Sequence, residues 1–225
     1  SKLSSYSLFQ QPMSELKPTG NAFKYELNTP LFTDYASKHR LVKLPNDQQL
    51  DIRDKSKIVF PEGAIIAKTF FYKRDQLSDN ESQRILETRL LILHEGKWNV
   101  GVYQWNEHQT EAYLVEDGAS ISMEQVLPNG KVERFTYEIP SKSECTTCHN
   151  KRNKVSPIGP KVANLNIPRS DGANLSQLES WIKEGCLNAP SYDDLPALPP
   201  WDNSNHSLSQ RARAYLDVNC AHCHN

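Results

Sequence analysis

An α+β fold is predicted for the 225-residue chain, with an antiparallel β-rich domain over residues 1–140 and a mainly helical, loop-rich region over 141–225. Three observations carry this expectation. From about Lys55 to Glu138, short runs of β-branched and aromatic residues alternate with turn-forming pairs. At Pro140 that alternation stops, and seven of the fourteen prolines fall between Pro157 and Pro200. Beyond it, two stretches place apolar residues at helical spacing.

Residues 1–24 read as irregular, since Pro12, Pro18 and Gly20 interrupt any long element. The predicted strands are KIVFP, AIIAKTFFY, ETRLLIL, WNVGVYQW, EAYLVE, ASISMEQV and VERFTYEI. HEGK at 94–97 and LPNG at 127–130 are the turn signals, and Asn129-Gly130 is a strong hairpin pair. Ser141 with Glu144 three positions later is a capping-box pattern that starts a helix directly after VERFTYEI. NLSQLESWIKEGCL is read as a helix through Leu175, Leu178, Trp181, Ile182 and Leu187. SLSQRARAYLDVNC is read as another, capped by Ser207 with Gln210. Between them NAPSYDDLPALPPWDN reads as an extended wrap whose Leu195, Leu198 and Trp201 require burial.

Composition narrows the function classes. The formal net charge is −1, which gives no bulk attraction to nucleic acid or an anionic membrane. No apolar run approaches the roughly 20 residues of a membrane span. SKLSSYSLFQ has no charged-then-apolar leader, so the chain is expected to be a mature form or one made without a signal.

The chemistry is concentrated in the cysteines. Four of the five lie in two C-x-x-C-H units, Cys145-Thr146-Thr147-Cys148-His149 and Cys220-Ala221-His222-Cys223-His224. On a helix, positions i, i+3 and i+4 share a face. Two thiols so placed can join the two vinyl groups along one porphyrin edge, while the adjacent imidazole reaches the iron. C-x-x-C-H is therefore the signature of c-type haem attachment, and two copies predict two haems c. His149 and His224 are then the metal ligands. For the opposite side of each iron none of Met13, Met123, His39, His94, His108, His206 and His222 is singled out by its position. Alternatives remain open. Zinc can be held by two C-x-x-C knuckles, and the 71 residues between Cys148 and Cys220 do not forbid it. A helix-borne dithiol of redox type and plain disulfides use the same spacing. Cys186 reads as a small buried apolar residue on its helix. Lys142, Lys151, Arg152, Lys154 and Lys161 near the first motif read as a solvated face, or as a docking face for an acidic redox partner.

The chain also resembles a family of largely uncharacterised, secreted bacterial dihaem c-type cytochromes. The resemblance lies in LNTPLFTDYASKHR at 27–40, ETRLLI at 87–92, YQWNEHQTEA at 103–112, ECTTCHN at 144–150, IGPKVANLN at 158–166 and RARAYLDVNCAHCHN at 211–225. It implies a β-rich N-terminal part before a haem-bearing part, export to the periplasm or cell surface, and one-electron transfer with a redox partner protein. In that family the chain continues beyond the second motif, so a further segment covering a second haem is expected. The rival functions are a zinc-binding interaction module and a peroxidase-like haem enzyme with an open iron site.

Overall fold

Strand structure starts well before Lys55. The computed structural model describes residues 1–33, 35–73, 83–127, 129–167, 175–189 and 194–224. Its strands and helices run β1 (Ala22–Lys24), β2 (Ser37–Lys43), β3 (Leu50–Asp54), β4 (Lys57–Val59), β5 (Ile65–Lys73), β6 (Gln83–His94), β7 (Lys97–Trp105), β8 (Ala112–Leu114), β9 (Ala119–Val126) and β10 (Val132–Ile139). There follow α1 (Lys142–Cys148), β11 (Asn150–Lys151), β12 (Lys154–Val155), α2 (Val162–Leu165), α3 (Gln177–Lys183), β13 (Leu187–Asn188) and α4 (Leu208–Asn219).

The frame is a six-stranded sheet in the order β1-β2-β5-β6-β7-β8, antiparallel throughout. Glu95 and Gly96 both take positive φ at the β6–β7 hairpin, as a two-residue turn matched to strand twist requires. β9 and β10 form a separate hairpin in register from Val132↔Val126 to Ile139↔Ala119. A third sheet, β13-β3-β4, contains the one parallel pair among the described residues, β13 with β3.

Side-chain alternation gives the main sheet two different faces. On one, Leu41, Ile65, Ala67, Leu90, Ile85, Tyr103 and Trp105 meet Leu3, Leu8, Phe9, Met13 and Leu16 of the N-terminal segment. That segment is strand-poor but packed, with short helical turns at Leu3–Tyr6 and Met13–Glu15. Thr69 and Thr88 share a 2.8 Å hydroxyl contact within this layer, and the Trp105 indole donates to Thr88. The other face carries two apolar clusters. Val42, Ile66 and Leu91 pack with Val162, Leu165, Leu178, Trp181 and Leu187 from the C-terminal half. Phe70, Leu86 and Val102 pack with Ile121, Met123, Tyr137, Ile139 and Cys145.

Four expectations are corrected. A mainly helical second region is not supported: the described residues are 39% strand and 18% helix, and much of 141–224 is irregular chain laid on the sheet. β1, β2 and β3 lie in sequence that does not read as strand, because SKHRLVK puts Lys38 and Arg40 at inward positions where apolar residues are expected. The helix at NLSQLESWIKEGCL ends at Lys183; Gly185 takes φ +75°, so Cys186 lies beyond the helix and Leu187 enters β13. Cys186 is half-buried there, and its carbonyl accepts from the Leu50 amide at 2.8 Å. Trp201 is 42% exposed rather than buried, whereas Leu195 does pack against the cluster around Trp181. Residues 190–193 of the extended wrap, and Pro128 of the LPNG turn, lie outside the described residues.

Candidate functional site

Helix α1 is built to present the first motif at its end. Ser141 accepts from the Glu144 amide, and the Glu144 carboxylate accepts from the Ser141 amide at 2.8 Å, closing the capping box. The Ser141 amide and the Ser141 hydroxyl, both donating to the Glu144 carboxylate at 2.8 Å, hold it below the usual range. Gly118 makes the junction possible: at φ +79° an added Cβ would lie 2.5 Å from the Ile139 carbonyl and 3.0 Å from the Ser141 amide. Seven residues of helix then bring Cys145 and Cys148 to the last turn, with His149 as the C-terminal cap.

The three side chains have different surroundings. Cys145 is 6% exposed and belongs to the cluster around Phe70 and Tyr137. Burial pushes its thiol upward, with the Arg89 charge acting the other way. Cys148 is exposed. His149 is held from two sides: its carbonyl accepts from the Ser156 amide at 2.8 Å, and its Nδ1 lies 2.9 Å from the Ser156 carbonyl. Chain return at the β11–β12 hairpin makes this possible, with Arg152 and Asn153 both at positive φ in the turn. A carbonyl accepts only, so Nδ1 carries the proton and Nε2 keeps its lone pair. Burial first, then the Lys68 charge, pushes the imidazole down to about 4; it is neutral at ordinary pH.

Cys145 and His149 line a small cavity of about 30 Å³ against the sheet. Ile66, Leu91, Val100 and Ile158 give it apolar walls, and Lys68 and Arg89 bring charge into it. Arg89 is neutralised by Glu87, which is fully buried and accepts from Arg89 Nε at 2.9 Å, Arg89 Nη2 at 2.5 Å and the Tyr137 hydroxyl at 2.6 Å. Burial works against the guanidinium charge, but the Glu87 contacts outweigh it and hold Arg89 ionised. Burial and the Glu87 charge also hold the Tyr137 phenol protonated, so it donates. Among the described residues Lys68 has no such partner: burial, then the Arg40 and Arg89 charges, push its amine down to about 7.

The second motif is placed differently. α4 carries the expected Ser207–Gln210 capping box and is pinned by Lys161 Nζ to Asp217 at 2.8 Å and by the Phe32 amide donating to Asn219 Oδ1 at 2.8 Å. Cys220 caps the helix and is half-buried; Cys223 and His224 are exposed, and Asn225 lies outside the described residues. None of Cys220, Cys223 and His224 lines the cavity at Cys145. His222 approaches it, since its ring adds to the pressure against protonating His149. Its Nδ1 is buried without a partner among the described residues. Met13 and Met123 are core residues of the two opposite faces. Lys142, Lys151, Arg152 and Lys154 are exposed.

The donor set at α1 is of the type haem c attachment uses, although the cavity beside it, about 30 Å³, is far smaller than a porphyrin. It offers two thiols one helical turn apart, a neutral imidazole with Nε2 available, apolar walls and nearby cations. It fits a redox dithiol poorly, because the motif occupies the C-terminal turn, where the helix dipole disfavours a thiolate, and the Cys145 thiol is pushed up rather than down. Among the described residues no three His, Cys, Asp or Glu side chains are gathered as a four-ligand zinc site requires. Sequence reasoning missed Lys68, Arg40, Arg89 and Glu87; the available signal was a lysine at an inward position of AIIAKTFFY.

No family model, curated protein or solved structure matches the chain. Several of the stretches that carry the resemblance meet in space. The Asn28 amide donates to the Asn164 carbonyl at 2.9 Å, and the fully buried Asn164 side chain bonds Thr29 in both directions, at 2.9 and 3.0 Å.

Proposed function

We propose that this chain is an exported c-type cytochrome that carries single electrons, with its first haem attached at Cys145 and Cys148 and ligated by His149. The observation that carries the reading is the His149 ring. Its Nδ1–H is committed to the Ser156 carbonyl, which orients the imidazole and leaves Nε2 for a metal, as the outer partner of a ligating histidine does. When bound, haem supplies a one-electron iron couple whose potential follows axial ligation, burial and nearby charge. The chain's own residues would fix the imidazole and line its inner side with Ile66, Leu91 and Val100.

Cys220, Cys223 and His224 are proposed as the second attachment sequence on the strength of the motif. α4 brings that motif to the side of the molecule where His149 lies, which suits electron exchange between two groups. Export to the periplasm or cell surface follows from the proposal, because haem c is attached outside the bacterial inner membrane. The exposed Lys142, Lys151, Arg152 and Lys154 would speed encounter with an acidic redox partner. Among the described residues no helix is long and apolar enough to cross a membrane.

Intact mass of the chain matured in a haem c-competent host is the test. One or two covalent haems, with a Soret band and sharp reduced bands, are expected. A colourless protein without added mass but with stoichiometric zinc overturns the proposal.

A further inference from the structure

One row of the main sheet carries more positive charge than its surroundings balance. Arg40, Lys68 and Arg89 are direct partners across three adjacent strands, Arg40↔Lys68 between β2 and β5 and Lys68↔Arg89 between β5 and β6. They therefore emerge on one face, with Lys68 in the middle. Like charges directly opposite one another destabilise a sheet, and charge withdrawn from water is costly unless it is paired. Here the pairing is incomplete. The buried Glu87 carboxylate is committed to Arg89 and the Tyr137 hydroxyl. Arg40 is 7% exposed, and its Nε is buried with no acceptor among the described residues. The Glu26 carboxylate, 3.7 Å from the Arg40 guanidinium, is itself 58% exposed. Lys68 makes no hydrogen bond or ion pair among the described residues, and its nitrogen lies 5.9 Å from the centre of the Phe70 ring. The row lacks a second anion.

Lys68 also borders the cavity of about 30 Å³, next to Arg89 and the apolar side chains of Ile66, Leu91, Val100 and Ile158. That volume takes a water or two, or one molecule of similar size. Arg40 is no part of the cavity wall; its charge acts on Lys68 from the neighbouring strand. Lys68 is half-buried, so it keeps some contact with water. Burial and the flanking charges favour its free amine, whose lone pair is then available. We propose that Lys68 is a carbamylation site for dissolved carbon dioxide. Carbon dioxide is small, linear and apolar, which matches the cavity in size and lining. The Lys68 Nζ lone pair attacks its carbon, a C–N bond forms, one C–O π bond opens onto oxygen, and the nitrogen releases one proton to solvent. Amine and carbon dioxide thus give a carbamate anion and a proton, with nothing oxidised or reduced. The row changes from three cations to one anion between two cations, and with Glu87 the four side chains sum to zero charge. Lys151 and Lys154, exposed on the β11–β12 hairpin, have no such surroundings. The proposal does not depend on haem attachment at α1.

The test uses the full chain in buffer freed of carbon dioxide and in buffer equilibrated with isotope-labelled carbon dioxide and bicarbonate. A trialkyloxonium salt converts any carbamate to a stable ester, which peptide mass spectrometry then locates. Carbon NMR counts carbamate resonances in the untreated protein. The chain's α-amine is the positive control, and Lys151 is the exposed lysine control. The ester is expected at Lys68 at carbon dioxide levels that leave Lys151 unmodified, with one resonance that Lys68→Arg lacks. Arg40→Gln should need a several-fold higher carbon dioxide concentration for half-modification. The urea midpoint should rise with carbon dioxide in the wild type and stay fixed in Lys68→Arg. An unmodified Lys68 while the α-amine is esterified, or equal modification of Lys68 and Lys151, overturns the proposal. So does a midpoint that rises with chloride as with bicarbonate while Lys68 stays unmodified, since the anion is then held without a covalent bond. Mapping of the wild type decides even where a variant fails to accumulate.

Discussion

Replacing Glu87 by Gln removes one negative charge and almost no volume from the inner layer of the sheet. In the folded chain this fully buried carboxylate accepts three hydrogen bonds, two from Arg89 and one from Tyr137. An amide keeps one oxygen, so at most part of this set survives, and its NH2 group is turned toward donors. Hydrogen bonds to charged groups contribute about 1.5–3 kcal/mol each, and removing one partner of a buried ion pair costs about 3–5 kcal/mol. The upper part of that range is expected, because the freed Arg89 charge adds to those of Lys68 and Arg40 in the same row. Against a typical stability of about 5–15 kcal/mol the loss is large. Urea unfolding of the full chain, followed by circular dichroism and tryptophan fluorescence, measures it. Glu124→Gln is the control: Glu124 pairs with Arg134 at 2.8 Å, but both side chains are exposed, so a change within about 1 kcal/mol is expected. Adding Arg89→Met to Glu87→Gln should recover part of the loss, since the stranded charge is then gone. Equal small effects of Glu87→Gln and Glu124→Gln would refute the reasoning, for they would mean that the buried row is not under electrostatic load.

Three more outcomes are expected. In the haem-free chain, Lys68 is held to about 7 in the fold but titrates near 10.4 when unfolded; the unfolded state binds more protons between those values, so stability should rise with pH from about 7 to 10. Urea midpoints across that range should lose this part of the slope in Lys68→Met. Trp181→Ala removes a ring packed edge-on against Phe23 at 5.0 Å and should cost about 3–5 kcal/mol; because its cluster mixes α3 with Val42 and Ile66 of the main sheet, calorimetry should show one transition moving down as a whole. Gly118→Ala places a Cβ against the Ile139 carbonyl at positive φ and should cost more than about 1–2 kcal/mol, with a loss of α1 helicity visible by hydrogen exchange at Glu144 and Cys145.

The parts of the fold that follow from local chemistry were legible in the sequence. VERFTYEI, the turn after β6, and the Ser141 and Ser207 caps depend on neighbours within a few residues, and each forms where its pattern falls. β2 was illegible for the reason that makes it interesting: its inward positions hold Lys38, Arg40 and Val42, so a period-two test for apolar residues fails on charge. β13 pairs with β3 across more than a hundred residues, and no short-range signal specifies such a partner. The motif residues themselves were plain, whereas the Ser156 carbonyl that orients His149 is a backbone atom, set by a hairpin turn rather than by a side chain.

The two thiols of α1 also set an order of events in time. Cys148 faces water, while Cys145 is enclosed by the side chains of β5, β6, β9 and β10. A reagent that must reach both sulfurs meets Cys148 at the surface and Cys145 only where the packing around it opens. The two sulfurs of one motif therefore differ in when they can react: Cys148 in the folded chain, Cys145 when its cluster is loosened. Folding thus makes two chemically identical thiols, three residues apart, unequal in reactivity.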